Sequence, residues 1–224
     1  MSTELFDFLK ELKNNNNREW FKDHKKQYDR LHTWFISEVQ DLINWIGVFD
    51  PEIANLDAKS CIYRIYRDIR FSKDKTPYKT HFGAYLTGLG GRTSFYAGYY
   101  IHLEPGNSLL SGGAWQPAPA LLKKLRQTIY VNMDEFLEII ENREFKETYP
   151  ILEGELQKRM PEGFPVDYPY ADILKHKDFV VMAMKPDAFF NSENWKKQAI
   201  CDFKKLYPFN RFLNYTIREF HDKV

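Results

Sequence analysis

Residues 94–114 read SFYAGYYIHLEPGNSLLSGGA. Two strand-like runs, Ser94–Leu103 and Ser108–Ala114, flank Glu104-Pro105-Gly106-Asn107. Pro presets φ and Gly tolerates positive φ, so these four residues predict the turn of a hairpin. Two strands joined by so short a turn are antiparallel. Side chains alternate along a strand, which puts Ser94, Tyr96, Gly98, Tyr100, His102 and Glu104 on one polar face of the first run.

Outward from the hairpin, further strands are expected at Ile62–Phe71, Phe82–Leu86 and Phe179–Lys185, where β-branched and aromatic residues cluster. A glycine turn is expected over Gly88–Arg92, and turn or tight backbone packing at Gly112-Gly113. Helical spacing of Leu5, Phe8, Leu9 and Leu12 predicts a short opening helix. Asn17 is placed to cap a long second helix whose stripe runs Trp20, His24, Tyr28, Leu31, Phe35, Val39, Leu42 and Ile46, with Gly47 as a left-handed C-cap. Pro117 and Pro119 open a helix to Tyr130, and Asn132 with Glu135 resembles a capping box for Met133–Glu141. Phe145–Asp167 reads as loops with short pieces of structure, and Asp172–His176 as a brief helical turn. Two closing helices, Glu193–Leu206 and Phe209–Phe220, are expected either side of Pro208. Strands clustered as hairpins predict a single α+β domain over residues 1–224, with an antiparallel or mixed sheet packed against several helices.

The 224 residues carry a net charge of +1, which excludes a strongly basic nucleic-acid coat. Aromatic residues make up 17% of the chain and predict a core built on rings. Two distant cysteines, Cys61 and Cys201, form neither a disulfide framework nor a zinc motif, and fit a reducing, cytoplasmic compartment. No cationic leader and no membrane-length apolar run is visible, so no membrane partner is expected.

The chemistry is concentrated in CIYRIYRDIRFSKDKTPYKTH, residues 61–81. Arg64, Arg67, Arg70, Lys73, Lys75 and Lys79 stand there against only Asp68 and Asp74. If Ile62–Phe71 is a strand, Ile65, Arg67, Ile69 and Phe71 share one face, and Arg67 among apolar neighbours needs an anionic partner. The other face carries Arg64, Tyr66, Asp68 and Arg70. If it adjoins the polar face of the hairpin, Arg64, Asp68, Arg70, Tyr96, Tyr100 and His102 converge. Guanidinium forks match phosphate or carboxylate, and Lys73, Lys75 and Lys79 on the following loop would close over such an anion. The bland alternative is a solvated surface with weak ion pairs such as Asp68 with Arg64 or Arg70. No Gly-x-x-x-x-Gly-Lys-Ser/Thr loop is present, so a nucleotide triphosphatase is not expected.

Asn16-Asn17-Arg18-Glu19-Trp20-Phe21, the run from Arg67 to His81, Tyr100-Ile101-His102-Leu103, Gly112-Gly113-Ala114-Trp115 and Lys175–Phe179 together resemble the family named domain of unknown function 2461, found mainly in bacteria. The resemblance covers nearly the whole chain. It implies a compact, bacterial, cytoplasmic α+β domain and brings no catalytic residues with it.

The six histidines show no metal-type spacing in sequence, so no metal and no cofactor is expected. His24 lies on an apolar stripe and reads as a core histidine. His81, His102 and Asp68 are the candidate proton-transfer groups, and Arg64, Arg67, Arg70, Lys73, Lys75, Lys79, Tyr96 and Tyr100 the candidate ligand contacts. Three readings follow. The first is binding of a phosphorylated or other anionic ligand, with a nucleotide or nucleic-acid backbone included. The second is a small enzyme acting on an anionic substrate such as a phosphoester. The third is a protein-interaction domain with the Tyr-rich strand at its surface.

Overall fold

The computed structural model describes residues 1–88 and 91–222. Helices α1 (Ser2–Asn14), α2 (Arg18–Asp23), α3 (Lys25–Ile46) and α4 (Ala58–Cys61) come first. An irregular arm leads to strand β1 (Phe82–Leu86), a 3₁₀ turn (Gly91–Thr93), and the hairpin β2 (Gly98–Leu103) and β3 (Ser108–Ala114). Helices α5 (Pro119–Val131), α6 (Met133–Ile140) and α7 (Arg143–Thr148) follow, then β4 (Leu152–Glu153), α8 (Ala171–Lys175), β5 (Phe179–Lys185), α9 (Asp187–Asn191) and α10 (Trp195–His221). The five strands form one antiparallel sheet in the order β1-β2-β3-β5-β4. Helices and an antiparallel sheet make this an α+β fold. Among the described residues no helix is long and apolar enough to cross a membrane.

One face of the sheet is the core. Phe82, Ala84, Leu86, Tyr99, Ile101, Leu103, Leu110, Val181 and Ala183 are buried there. Phe35 of α3 meets Phe82 edge-on at 5.4 Å, and Phe203 of α10 meets Tyr99 at 5.5 Å. The other face is only partly covered. Tyr85, Tyr100, His102, Leu109 and Met182 are half-buried there, and Met184 is exposed.

Five local expectations are corrected. The long helix breaks at His24, whose ring and amide both bond the Trp20 carbonyl, at 2.8 and 3.1 Å; the ring lies half-buried, stacked on Trp20. Asn17 does cap α2, accepting from the Trp20 amide at 2.9 Å. Gly47 is right-handed (φ −57°) and is glycine for room, since a Cβ would meet Ala54 Cα at 2.7 Å. Asn132 donates back to the Thr128 carbonyl at 2.9 Å, so its side chain closes α5 instead of capping α6. Pro208 sits inside α10 without ending it, because Phe203, Leu206, Phe209, Leu213 and Ile217 bury one continuous stripe across it.

The fifth correction matters most for function: Ile62–Phe71 is not a ladder strand. It starts along β1, with an Ile62–Ala84 bridge and the Tyr63 amide donating to the Gly83 carbonyl at 3.0 Å. It then doubles back on itself. The Lys79 amide donates to the Ile65 carbonyl at 2.8 Å, and the Arg67 amide to Pro77 at 2.9 Å. The Asp68 carboxylate then takes the Arg70 amide at 3.2 Å. That local bond competes with a ladder and turns the chain outward. Phe71 ends 95% exposed, so the alternation predicted for this segment does not hold. The glycine turn expected over Gly88–Arg92 includes Leu89 and Gly90, which lie outside the described residues.

Candidate functional site

The site builds from the register of β1 on β2. Gly83 stands opposite His102, and Phe82 opposite Leu103. His81, one residue before β1, is thereby brought level with Glu104, one residue after β2. The rings of His81 and His102 lie 4.3 Å apart. His102 and Glu104 are two residues apart on a strand and share the less covered face, with Tyr100 two residues further back.

His102 bonds at both nitrogens. Its Nε2 is 3.2 Å from Glu104 Oε2, and its Nδ1 is 2.8 Å from the Tyr100 hydroxyl. Burial lowers its pKa against the opposing pull of Glu104, so the ring is neutral. A carboxylate can only accept, so Nε2 carries the proton, and Nδ1 accepts from the Tyr100 hydroxyl. Glu104 is itself fixed by Thr80 Oγ1 at 3.2 Å and Asn107 Nδ2 at 2.9 Å. Burial pushes its carboxyl up, but the hydrogen bonds from Asn107 and His102 outweigh this and hold it below its ordinary range. His81 is lowered to about 4, first by burial and then by His102 and Lys79. Its ring has no hydrogen-bond partner among the described residues.

Beside the histidines lies a cationic corner. Lys79 Nζ sits 5.1 Å from the centre of the Tyr63 ring, and Tyr63 meets Tyr100 edge-on at 6.2 Å. The Lys79 pKa is lowered by burial and then by the charges of Arg64 and Arg92. Among the described residues no carboxylate pairs with Lys79, Arg64 or Arg92. A cleft of about 340 Å³ opens next to Thr80 and Glu104, with Lys10 and Lys13 of α1 on its rim. The larger cleft, about 910 Å³, is elsewhere, between α5, α6 and α10. Its Arg218 is already paired with Glu52, and it holds none of the histidine cluster.

The structure gathers some of the residues expected from sequence and separates others. His81, His102, Tyr100, Lys79 and Arg64 belong to the site. Arg67 is partly exposed, not buried on an apolar strand face, and is held by Asp74 and Thr76 within the arm. Asp68 and Arg70 form an exposed pair, with Arg70 Nη2 2.6 Å from Asp68 Oδ2. Lys75 donates to the Ile69 carbonyl at 2.9 Å, and Lys73 is exposed on the same loop. Tyr96 packs against His221 of α10. Of the expected convergence with His102, Asp68 and Arg70 are missing because the arm bends at Asp68, and Tyr96 because it packs toward α10. Glu104, Thr80, Tyr63 and Arg92 were not among the candidates. Glu104 had a legible signal, its two-residue spacing from His102.

A helix-backed antiparallel sheet with two histidines and a carboxylate at one edge, and cations without carboxylate partners nearby, defines an α+β protein with a polar site at one sheet edge. The model of the family described as conserved hypothetical protein (DUF2461) matches residues 4–212, so the chain belongs to that family. No curated protein matches it, and no solved structure does.

Proposed function

We propose that this protein binds a phosphorylated or otherwise anionic ligand on the less covered sheet face, with Lys79, Arg64 and Arg92 as its cationic contacts. The supporting observation is electrostatic. Lys79 is half-buried, no carboxylate pairs with it, and its ammonium is disfavoured by burial and by the neighbouring charges of the exposed Arg64 and Arg92, which an anion would offset. Tyr63 and Tyr100 add an aromatic wall beside Lys79. The two unpaired cysteines and the family resemblance favour a bacterial cytoplasm as the place of action.

The test is a thermal-shift screen of chelator-treated protein against inorganic phosphate, sugar phosphates, nucleotides and short nucleic acids. A ligand at a hundred times its Kd adds about 2.7 kcal/mol. The shift is expected to vanish in Lys79→Ala and Arg64→Ala and to persist in Arg70→Ala, whose guanidinium is already paired. No shift with any anion, or loss in Arg70→Ala alone, would overturn the proposal. A nucleic-acid ligand would show affinity falling steeply with salt.

One observation favours the enzymatic reading: the Glu104–His102–Tyr100 chain of hydrogen bonds, in which a carboxylate orients an imidazole against a phenol. It predicts turnover of a phosphoester that is lost in His102→Gln while ligand binding remains.

A further inference from the structure

We propose that His81, His102 and Glu104 form a binding site for one divalent transition-metal ion of the Zn(II) or Fe(II) type. The proposal goes beyond anion binding and stands on different side chains.

The donor set comes first. A nitrogen of each histidine and an oxygen of Glu104 all lie within 4.8 Å of one another. Two ligand atoms bonded to one ion at about 2.1 Å sit roughly 3.0–3.4 Å apart, the tetrahedral to octahedral range. The 3.2 Å between His102 Nε2 and Glu104 Oε2 already falls within it. Two imidazoles and one carboxylate suit zinc or ferrous iron, whereas magnesium and calcium favour oxygen-only sites.

The supporting shell comes second. Metal-bound histidines characteristically offer their other nitrogen to a fixed partner, and ligating carboxylates are hydrogen-bonded in turn. Tyr100 holds His102 Nδ1, while Thr80 and Asn107 hold Glu104. The His102 and Glu104 side chains are 12% and 20% exposed, enough for an ion to enter and for open coordination positions to face solvent. His81 supplies the third argument. Its imidazole lies against a second imidazole and beside a carboxylate, with no hydrogen bond of its own to explain the placement. An ion shared by the three groups accounts for it.

Loading the site moves the His102 proton. Nε2 gives up its hydrogen to offer a lone pair, and Nδ1 takes a hydrogen and donates it to the Tyr100 oxygen. The total on the neutral ring is unchanged. An ion here would sit next to the cationic corner, where it would add to the attraction for an anionic ligand.

The experiment uses the full chain carrying Cys201→Ser, because the exposed Cys201 thiol binds soft metals by itself. Chelator-treated protein in phosphate-free buffer is titrated with Co(II), followed by visible absorption, and with Zn(II), followed by calorimetry. One equivalent is expected to bind. His81→Gln and Glu104→Gln are each expected to weaken it about 100-fold or more, and Tyr100→Phe about tenfold. Magnesium at equal concentration is expected not to compete. His81→Gln removes no hydrogen bond, so its fold, checked by circular dichroism, should be intact. Absence of binding in the parent protein, or equal affinity in His81→Gln, would overturn the proposal. An imidazole ¹⁵N shift of His102 that does not change tautomer on loading would remove His102 from the site. The anion screen runs with chelator and this titration runs without phosphate, so each proposal fails on its own data.

Discussion

Gly83 shows how one residue shapes this site. A Cβ there would lie 2.8 Å from the Tyr100 hydroxyl, so glycine leaves the space in which that phenol reaches His102. The obstructing atom is the far end of a side chain, which can swing away. Gly83→Ala is therefore expected to cost only a few degrees in Tm but to break the Tyr100–His102 bond. The His102 ¹⁵N spectrum reads that bond directly, and an unchanged spectrum would refute the account. Asp50 is a second single-residue case. Burial pushes its carboxyl up, more than the 2.8 Å bond from the Tyr99 hydroxyl pulls it down. A raised acid pKa in the fold means the ionised form opposes folding, an effect present at neutral pH and absent below the ordinary value. The Tm of Asp50→Asn minus that of the parent is thus expected to rise from pH 3.5 to pH 7. A flat or falling difference would show that the buried carboxylate is not strained.

At the scale of elements, α10 and the arm are read differently by sequence and structure for opposite reasons. In α10 a local rule is overridden. Pro208 lacks an amide and leaves the Lys204 carbonyl without its helical partner, yet the buried stripe on both sides keeps the helix in one piece. Pro208→Ala restores that amide, and a gain of about 1–3 kcal/mol is expected. At roughly 2–4 °C per kcal/mol for a chain of this size, calorimetry resolves it. A loss would mean that the proline itself is needed for the packing of α10. In the arm a local rule wins. The pattern Ile62, Tyr63, Ile65, Tyr66, Ile69, Phe71 suits a strand, but Asp68 turns its own backbone away and Arg67 closes on Asp74. That decides which cations remain for a ligand. Arg67 and Arg70 are consumed within the arm, and Lys79 and Arg64, next to its paired stem, are not.

Across the whole molecule, buried neutral histidines set the response to acid. His32, His102 and His176 are each lowered, in every case chiefly by burial, and His81 is lowered to about 4. The unfolded chain takes up these protons near pH 6.5, while the fold takes them up at lower pH, about 4 for His81. Stability is therefore full above about pH 7 and falls as pH drops through 6.5, at up to about 1.4 kcal/mol per pH unit for each such group. Chelator-treated protein melted at pH 7.5, 6.5 and 5.5 should show a steady decline in Tm. Carboxylates held low by hydrogen bonds, such as Glu104, add to the loss only at more acid pH, because their protons bind later. A Tm that rises toward pH 5.5 would contradict the buried-neutral assignment.

Sequence by itself determined the elements whose signals are local and repeated. These are α1 with its apolar stripe, the Asn17 cap, the hairpin about Glu104–Asn107, β5, and hence the α+β fold with an antiparallel or mixed sheet. It also marked His81, His102, Tyr100, Lys79 and Arg64 as chemistry. Only the tertiary structure decided which of them meet. His81 joins His102 and Glu104 because β1 pairs with β2 in one register, and a slip of a single residue would turn those side chains to opposite faces. Arg67 and Arg70 leave the site because the arm bends through contacts inside its own loop. Periodicity records which face a residue prefers, but register and loop closure depend on partners distant in the chain, and those partners are chosen by packing.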